Sequence, residues 1–96
     1  MSDGLTTFQY DLLSALHQHD GMKGLAIKSF LELERDRYNG SVNHGRLYPN
    51  LDALVDRGLV EKEPRDKRTN EYTLTMEGVE VLRSRVRELG GDWTNE

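Results

Sequence analysis

The stretch Asn43-His44-Gly45-Arg46-Leu47-Tyr48-Pro49-Asn50-Leu51-Asp52-Ala53-Leu54-Val55, followed by Gly58-Leu59-Val60, decides how this chain is read. Leu47, Leu51, Leu54 and Val55 recur at i, i+4, i+7 and i+8, which makes one apolar stripe on a helix. Pro49 falls inside that period, where the loss of a backbone donor costs roughly 3 kcal/mol. At about 100° per residue, Gly45, Arg46 and Pro49 point away from the stripe. A helix start without bulk on its exposed side implies that something rigid comes close, and a polyanionic groove fits that description.

Toward the N-terminus, Phe8, Leu12, Leu13 and Leu16 keep helical spacing behind Leu5. They predict a first helix over 7–18, with Thr6 and Thr7 as candidate caps and a turn at Asp20-Gly21. A second helix runs from Gly24 to about Arg37 and breaks at Tyr38-Asn39-Gly40. The third starts after Ser41 or Asn43, either of which can cap it, and stops at Gly58. Leu59 to Pro64 and Glu71 to Thr75 read as two strands of a hairpin, the second alternating Tyr72 and Leu74 with threonines. The tip between them carries Arg65, Lys67 and Arg68. Thr75 caps a last helix that reaches about Leu89, before Gly90-Gly91.

In that last helix Val79, Leu82, Val86, Leu89 and Trp93 are spaced 3, 4, 3 and 4 apart. This is the narrow seam of a coiled coil rather than the wider stripe of a core helix. A subunit seam is the expectation, and packing on the first helix is the alternative.

Composition bounds the rest. Ninety-six residues support one small domain, which oligomerisation would help to stabilise. The absence of cysteine excludes disulfides, thiolate zinc sites and thiol nucleophiles. No apolar run is long enough to span a membrane and no basic-then-apolar leader is visible, so a cytoplasmic protein is expected. The net charge of −4 counts against a nucleic-acid binder. Its distribution softens the objection. From Ser41 to Thr75 six basic residues balance six acidic ones, so the other 11 acids and 7 bases, of 17 and 13 in all, carry the whole excess. An acidic, cysteine-free chain would also suit a high-salt cytoplasm.

Helix, helix, helix, hairpin, helix is the order of a winged helix-turn-helix. The motifs Gly45-x-Leu47-Tyr48-Pro49-x-Leu51-x-x-Leu54, Gly58-Leu59-Val60 and Tyr72-Thr73-Leu74-Thr75 resemble those of the PadR family of transcriptional regulators, and Gly24 to Ile27 is similar to the preceding family helix. The resemblance covers about residues 5–90, and within the family it is to small haloarchaeal and phage-repressor-like members. It departs at Asn43-His44 and Arg46, where the family often has Ser-Pro and Thr. It implies a DNA-binding fold over 5–75 with a C-terminal dimerisation helix over 76–90 in the same compact unit. It also implies that Tyr48 contacts the sugar-phosphate backbone; the alternative is a partly buried core tyrosine.

The expected interface follows from these assignments. Asn43, His44 and Gly45 form the first turn, whose free N–H groups suit a phosphate. Arg46 and Asn50 lie one turn apart; Arg suits guanine and Asn suits adenine. A solvated helix residue is the alternative for Asn50. Arg65, Lys67 and Arg68 would hold flanking phosphates unless they merely solvate the turn, and Lys28 would reach the backbone. Asp52 and Asp56 would repel phosphates, so the first half of the helix enters the groove. An effector slot near Trp93 is a further expectation. No cofactor is expected. His17, His19 and His44 share no metal-binding face, and no phosphate loop or nucleophile elbow is present, so catalysis is not expected. The reading is a homodimeric repressor of double-stranded DNA; its rival is a winged helix that binds protein.

Overall fold

A computed structural model describes residues 4–19 and 21–91, without the side chain of Arg37. Helix α1 spans Thr7–Gln18 and is held at its start by a capping box. The Gln9 N–H donates to Thr6 Oγ1 at 3.1 Å and the Thr6 N–H to Gln9 Oε1 at 3.0 Å. Phe8, Leu12, Leu13, Ala15 and Leu16 are all buried, so α1 is the central helix about which the others pack. Burial of each large apolar side chain contributes about 1.5–3 kcal/mol, so this helix anchors the core.

Strand β1, Met22–Lys23, then precedes α2, Gly24–Glu34. Helix α2 ends sooner than its pattern predicts. Arg35 is extended, and a short 3-10 turn, Asp36–Tyr38, brings the Tyr38 hydroxyl to the buried Asp11 carboxylate as its donor. Helix α3 spans His44–Asp56, with Asn43 as its cap and Leu47, Leu51 and Leu54 fully buried. Pro49 sits inside it. The missing N–H leaves the Gly45 carbonyl without its helical donor, on the exposed face where another donor can reach it. Gly58, at φ +75°, closes α3. Its N–H donates to the Val55 carbonyl and that of Leu59 to the Leu54 carbonyl, both at 3.0 Å, which satisfies the orphan carbonyls of the last turn.

The wing consists of β2, Val60–Pro64, and β3, Asn70–Leu74, antiparallel with Val60 opposite Leu74 and Lys62 opposite Tyr72. The order in the sheet is β1-β3-β2, so β1 adds a third strand to the two expected. Two residues are too few to carry an alternating pattern, and only pairing with β3 reveals them. Thr75 caps α4, Met76–Glu88: its Oγ accepts the Gly78 N–H and donates to the Gly58 carbonyl at 2.8 Å. A Cβ on Gly78 would collide with the Leu59 carbonyl, so this glycine lets α4 lie against the start of the wing.

The apolar stripe of α4 faces α1. Leu82 is 7% exposed and part of the core, Val79 and Val86 are half-buried, and Leu89 alone among the described members stands 70% exposed. The alternative, packing on the first helix, thus accounts for Leu82 at the middle of the stripe. Its middle fills the gap over α1, because a domain this small needs every apolar face it has. Trp93 lies outside the described residues.

Candidate nucleic-acid interface

The Asn43 side-chain oxygen accepts the Gly45 N–H at 2.6 Å, which starts α3 at His44 and leaves Gly45, Arg46 and Pro49 exposed. His44 is exposed and meets Tyr48 edge-on, with ring centroids 5.9 Å apart. The Arg46 guanidinium lies over the Phe8 ring, 4.2 Å from its centroid, and 5.6 Å from that of Tyr38. Such a stack is worth about 0.5–1 kcal/mol at an exposed site, against about 1–3 kcal/mol for a bidentate guanine contact.

Asn50 is placed differently. Its amide oxygen accepts from Gln9 Nε2 at 2.9 Å, and its amide nitrogen donates to the Arg46 carbonyl at 2.7 Å. Two such bonds, at about 0.5–1.5 kcal/mol each, offset what an adenine contact would return. In this structure Asn50 braces α3 against α1 through Gln9, a residue whose sequence signal points only to a helix cap.

At the wing tip Arg65 turns inward. Its Nε lies 3.0 Å from Glu71 Oε1, its Nη2 pairs with the same oxygen and with Glu63 at 3.3 Å, and these acids, Glu71 foremost, hold the guanidinium above its ordinary pKa. Lys67 and Arg68 are exposed and have no ion pair with a described residue. The Arg68 N–H donates to the Asp66 carboxylate at 3.0 Å, which shapes the turn. On α2 the ammonium of Lys28, the residue expected to reach the DNA backbone, sits 2.7 Å from Glu32 in an internal pair. Glu32 also accepts the Val42 N–H at 2.7 Å, tying α2 to the approach to α3.

The acids of α3 are softened by a residue the sequence reading did not single out. Lys62 of β2 lies 3.2 Å from Asp52, and that bond raises the lysine pKa. Asp56 remains exposed.

Tyr48 and Arg68 come together with Lys23, Gly24, Asn70 and Tyr72 around a cleft of about 370 Å3. Glycine at position 24 lets the Tyr48 ring rest on the start of α2, since a Cβ there would lie 2.6 Å from its hydroxyl. Burial pushes the Tyr72 phenol above its usual pKa, so it is a neutral donor. A second, smaller groove of about 180 Å3 runs between α1 and α4, lined by Tyr10, Leu82, Arg85, Val86 and Leu89. The Arg85 guanidinium there lies 4.6 Å from the Tyr10 ring centroid. Among the described residues no group of three or more His, Asp or Glu could hold a metal, and no helix is long and apolar enough to cross a membrane.

A three-helix unit with a hairpin behind its third helix, carrying exposed cations at both, is the winged helix of a DNA-binding regulator. The model of the transcriptional regulator PadR-like family matches residues 12–84, and the chain belongs to that family. It is similar to hsRosR in the complex structure of hsRosR-S1, at 50% identity over 88% of this chain and 72% of that one, with a TM-score of 0.79. The structure of H. salinarum RosR grown from NaBr is 47% identical, covering 97% of this chain and 84% of that one, with a TM-score of 0.76. A mutant MarR from E. coli, complexed with operator DNA, is 26% identical over 91% of this chain and 57% of that one, with a TM-score of 0.72. No curated protein sequence matches the chain. The chain is a DNA-binding transcriptional regulator; its family and structural neighbours are regulators, not enzymes.

Proposed function

We propose that the chain is a homodimeric repressor of a roughly palindromic operator. The first turn of α3 enters the major groove with Arg46 as its principal base reader, and Lys67 and Arg68 hold flanking phosphates. The observation that carries this reading is the exposed turn at Gly45, Arg46 and Pro49, joined through Tyr48 to a wing whose last two basic residues are not committed to acids. Asn50, Arg65 and Lys28 have internal partners and contribute by holding α3, the wing and α2 in place. Support for the dimer is the groove between α1 and α4, where Leu89 extends the apolar lining into solvent. Two α3 helices related by a two-fold axis would meet half-sites about 10 bp apart, or a multiple of that.

Selection of bound sequences from a random DNA pool, at low and at multimolar salt, tests the reading. A palindromic motif enriched at either salt is the expected outcome, and retention at multimolar salt would tie the acidity to a saline cytoplasm. The exposed Asp56 favours the rival reading, in which α3 meets a protein partner. Failure to enrich any motif at either salt would overturn the operator reading and favour that rival.

A further inference from the structure

We propose that the cleft between the start of α2 and the wing seats one phosphate of the operator backbone, with Lys23 and Arg68 gripping it from its two sides. The proposal rests on the DNA-binding reading above and extends it to Lys23, on the short strand β1, and to Asn70 of the wing.

Charge is the first argument. The chain has 17 acidic and 13 basic residues, yet none of the described residues lining this cleft is acidic and two are cations. Of the carboxylates beside the cleft, one is paired with another cation and the other keeps its charge outside the lining. Glu71, opposite Lys23 in the strand pairing, is tied to Arg65. Asp66 accepts the Arg68 N–H and bonds to Thr69, and Lys23 reaches it only through its field. Arg65 thus closes the wing and, by occupying Glu71, leaves Lys23 to a ligand. The neutral donors complete the set. The Tyr48 hydroxyl rests close to Gly24, and the Asn70 side chain, hydrogen-bonded to Tyr72, shares the same lining. Two cations with neutral hydroxyl and amide donors are what a phosphodiester takes from a protein.

Position is the second argument. Tyr48 adjoins Pro49 on the exposed turn of α3, and Arg68 adjoins Lys67 at the wing tip. The cleft therefore lies between the two elements that would straddle the groove edge, where a backbone phosphate must run.

A methylphosphonate scan of the selected operator tests this, using the whole chain and its Lys23→Ala and Arg68→Ala variants, both at exposed positions. One flanking position should weaken the parent about tenfold, the size of one charge-assisted hydrogen bond, and should weaken each variant measurably less, since each keeps only one of the two cations. Each variant should select the same motif and lose about 0.9 from the slope of log K against log salt. If every neutralised phosphate cost the variants as much as the parent, the seat would be overturned while the operator reading stood. A parent that selected no motif would overturn both. A Lys23-dependent NMR shift on adding inorganic phosphate, without any methylphosphonate effect, would reassign the cleft to a free phosphate ester.

Discussion

Arg46 and Asn50 have the same nominal place, one turn apart on α3, and the structure separates them by what each side chain already touches. Arg46 rests on an aromatic face it can leave at little cost, whereas Asn50 has both ends of its amide hydrogen-bonded inside the chain. Arg46→Ala should therefore lower operator affinity by about 1–3 kcal/mol and relax selection at one base pair. Asn50→Ala should act mainly on folding, through the lost brace to Gln9. Binding titrations and melting curves of both variants check the division, and an Asn50→Ala protein of parental stability with a changed motif would refute it. At this scale the sequence showed residue types but not their engagement. Arg65, Lys67 and Arg68 are equally basic on paper, and only the return of β3 brings Glu71 against the first of them.

At the scale of elements α4 is the instructive case. Its narrow apolar spacing suits a helical partner, and the partner that takes its middle is α1 of the same chain. Leu82→Ala should destabilise the fold by about 2–5 kcal/mol, as large-to-small changes in a core do. Leu89→Ala should change stability by no more than about 0.5 kcal/mol, since the residue is exposed, while shifting a subunit equilibrium to higher concentration. Thermal melts and sedimentation over a concentration series separate the two effects. An unchanged sedimentation profile for Leu89→Ala would remove the α1–α4 groove as a subunit contact. The other boundaries were legible because caps are local chemistry: Thr6, Asn43, Thr75 and Gly58 each act within their own turn. Strand β1 and the early end of α2 were not, because one depends on pairing with β3 and the other on the reach of Tyr38 to Asp11.

Over the whole molecule, salt and pH act on pairs that tie elements together. Glu32 joins α2 to the approach to α3, and its hydrogen bond from Lys28, followed by that from the Val42 N–H, holds its carboxyl below the usual pKa. A carboxyl whose folded pKa is depressed adds stability above its unfolded pKa, about 4.3 for Glu, and that contribution is lost as pH falls through the folded value. Glu32→Gln should accordingly melt below the parent at neutral pH and converge with it in acid. Parallel melting curves from neutral pH down to strong acid test this, and a gap independent of pH would show that the charge of Glu32 is not what matters.

The order of the four helices and two wing strands, the caps, the glycine and proline positions of α3 and the family motifs all follow from the sequence alone. They depend on interactions within a turn or a repeating period and are written locally. Which cations are free, where the stripe of α4 is used and how Lys23 comes to face Arg68 across a cleft emerge only when the elements pack. A charge or an apolar face has no fixed role until its neighbours arrive, and those neighbours come from distant parts of the chain.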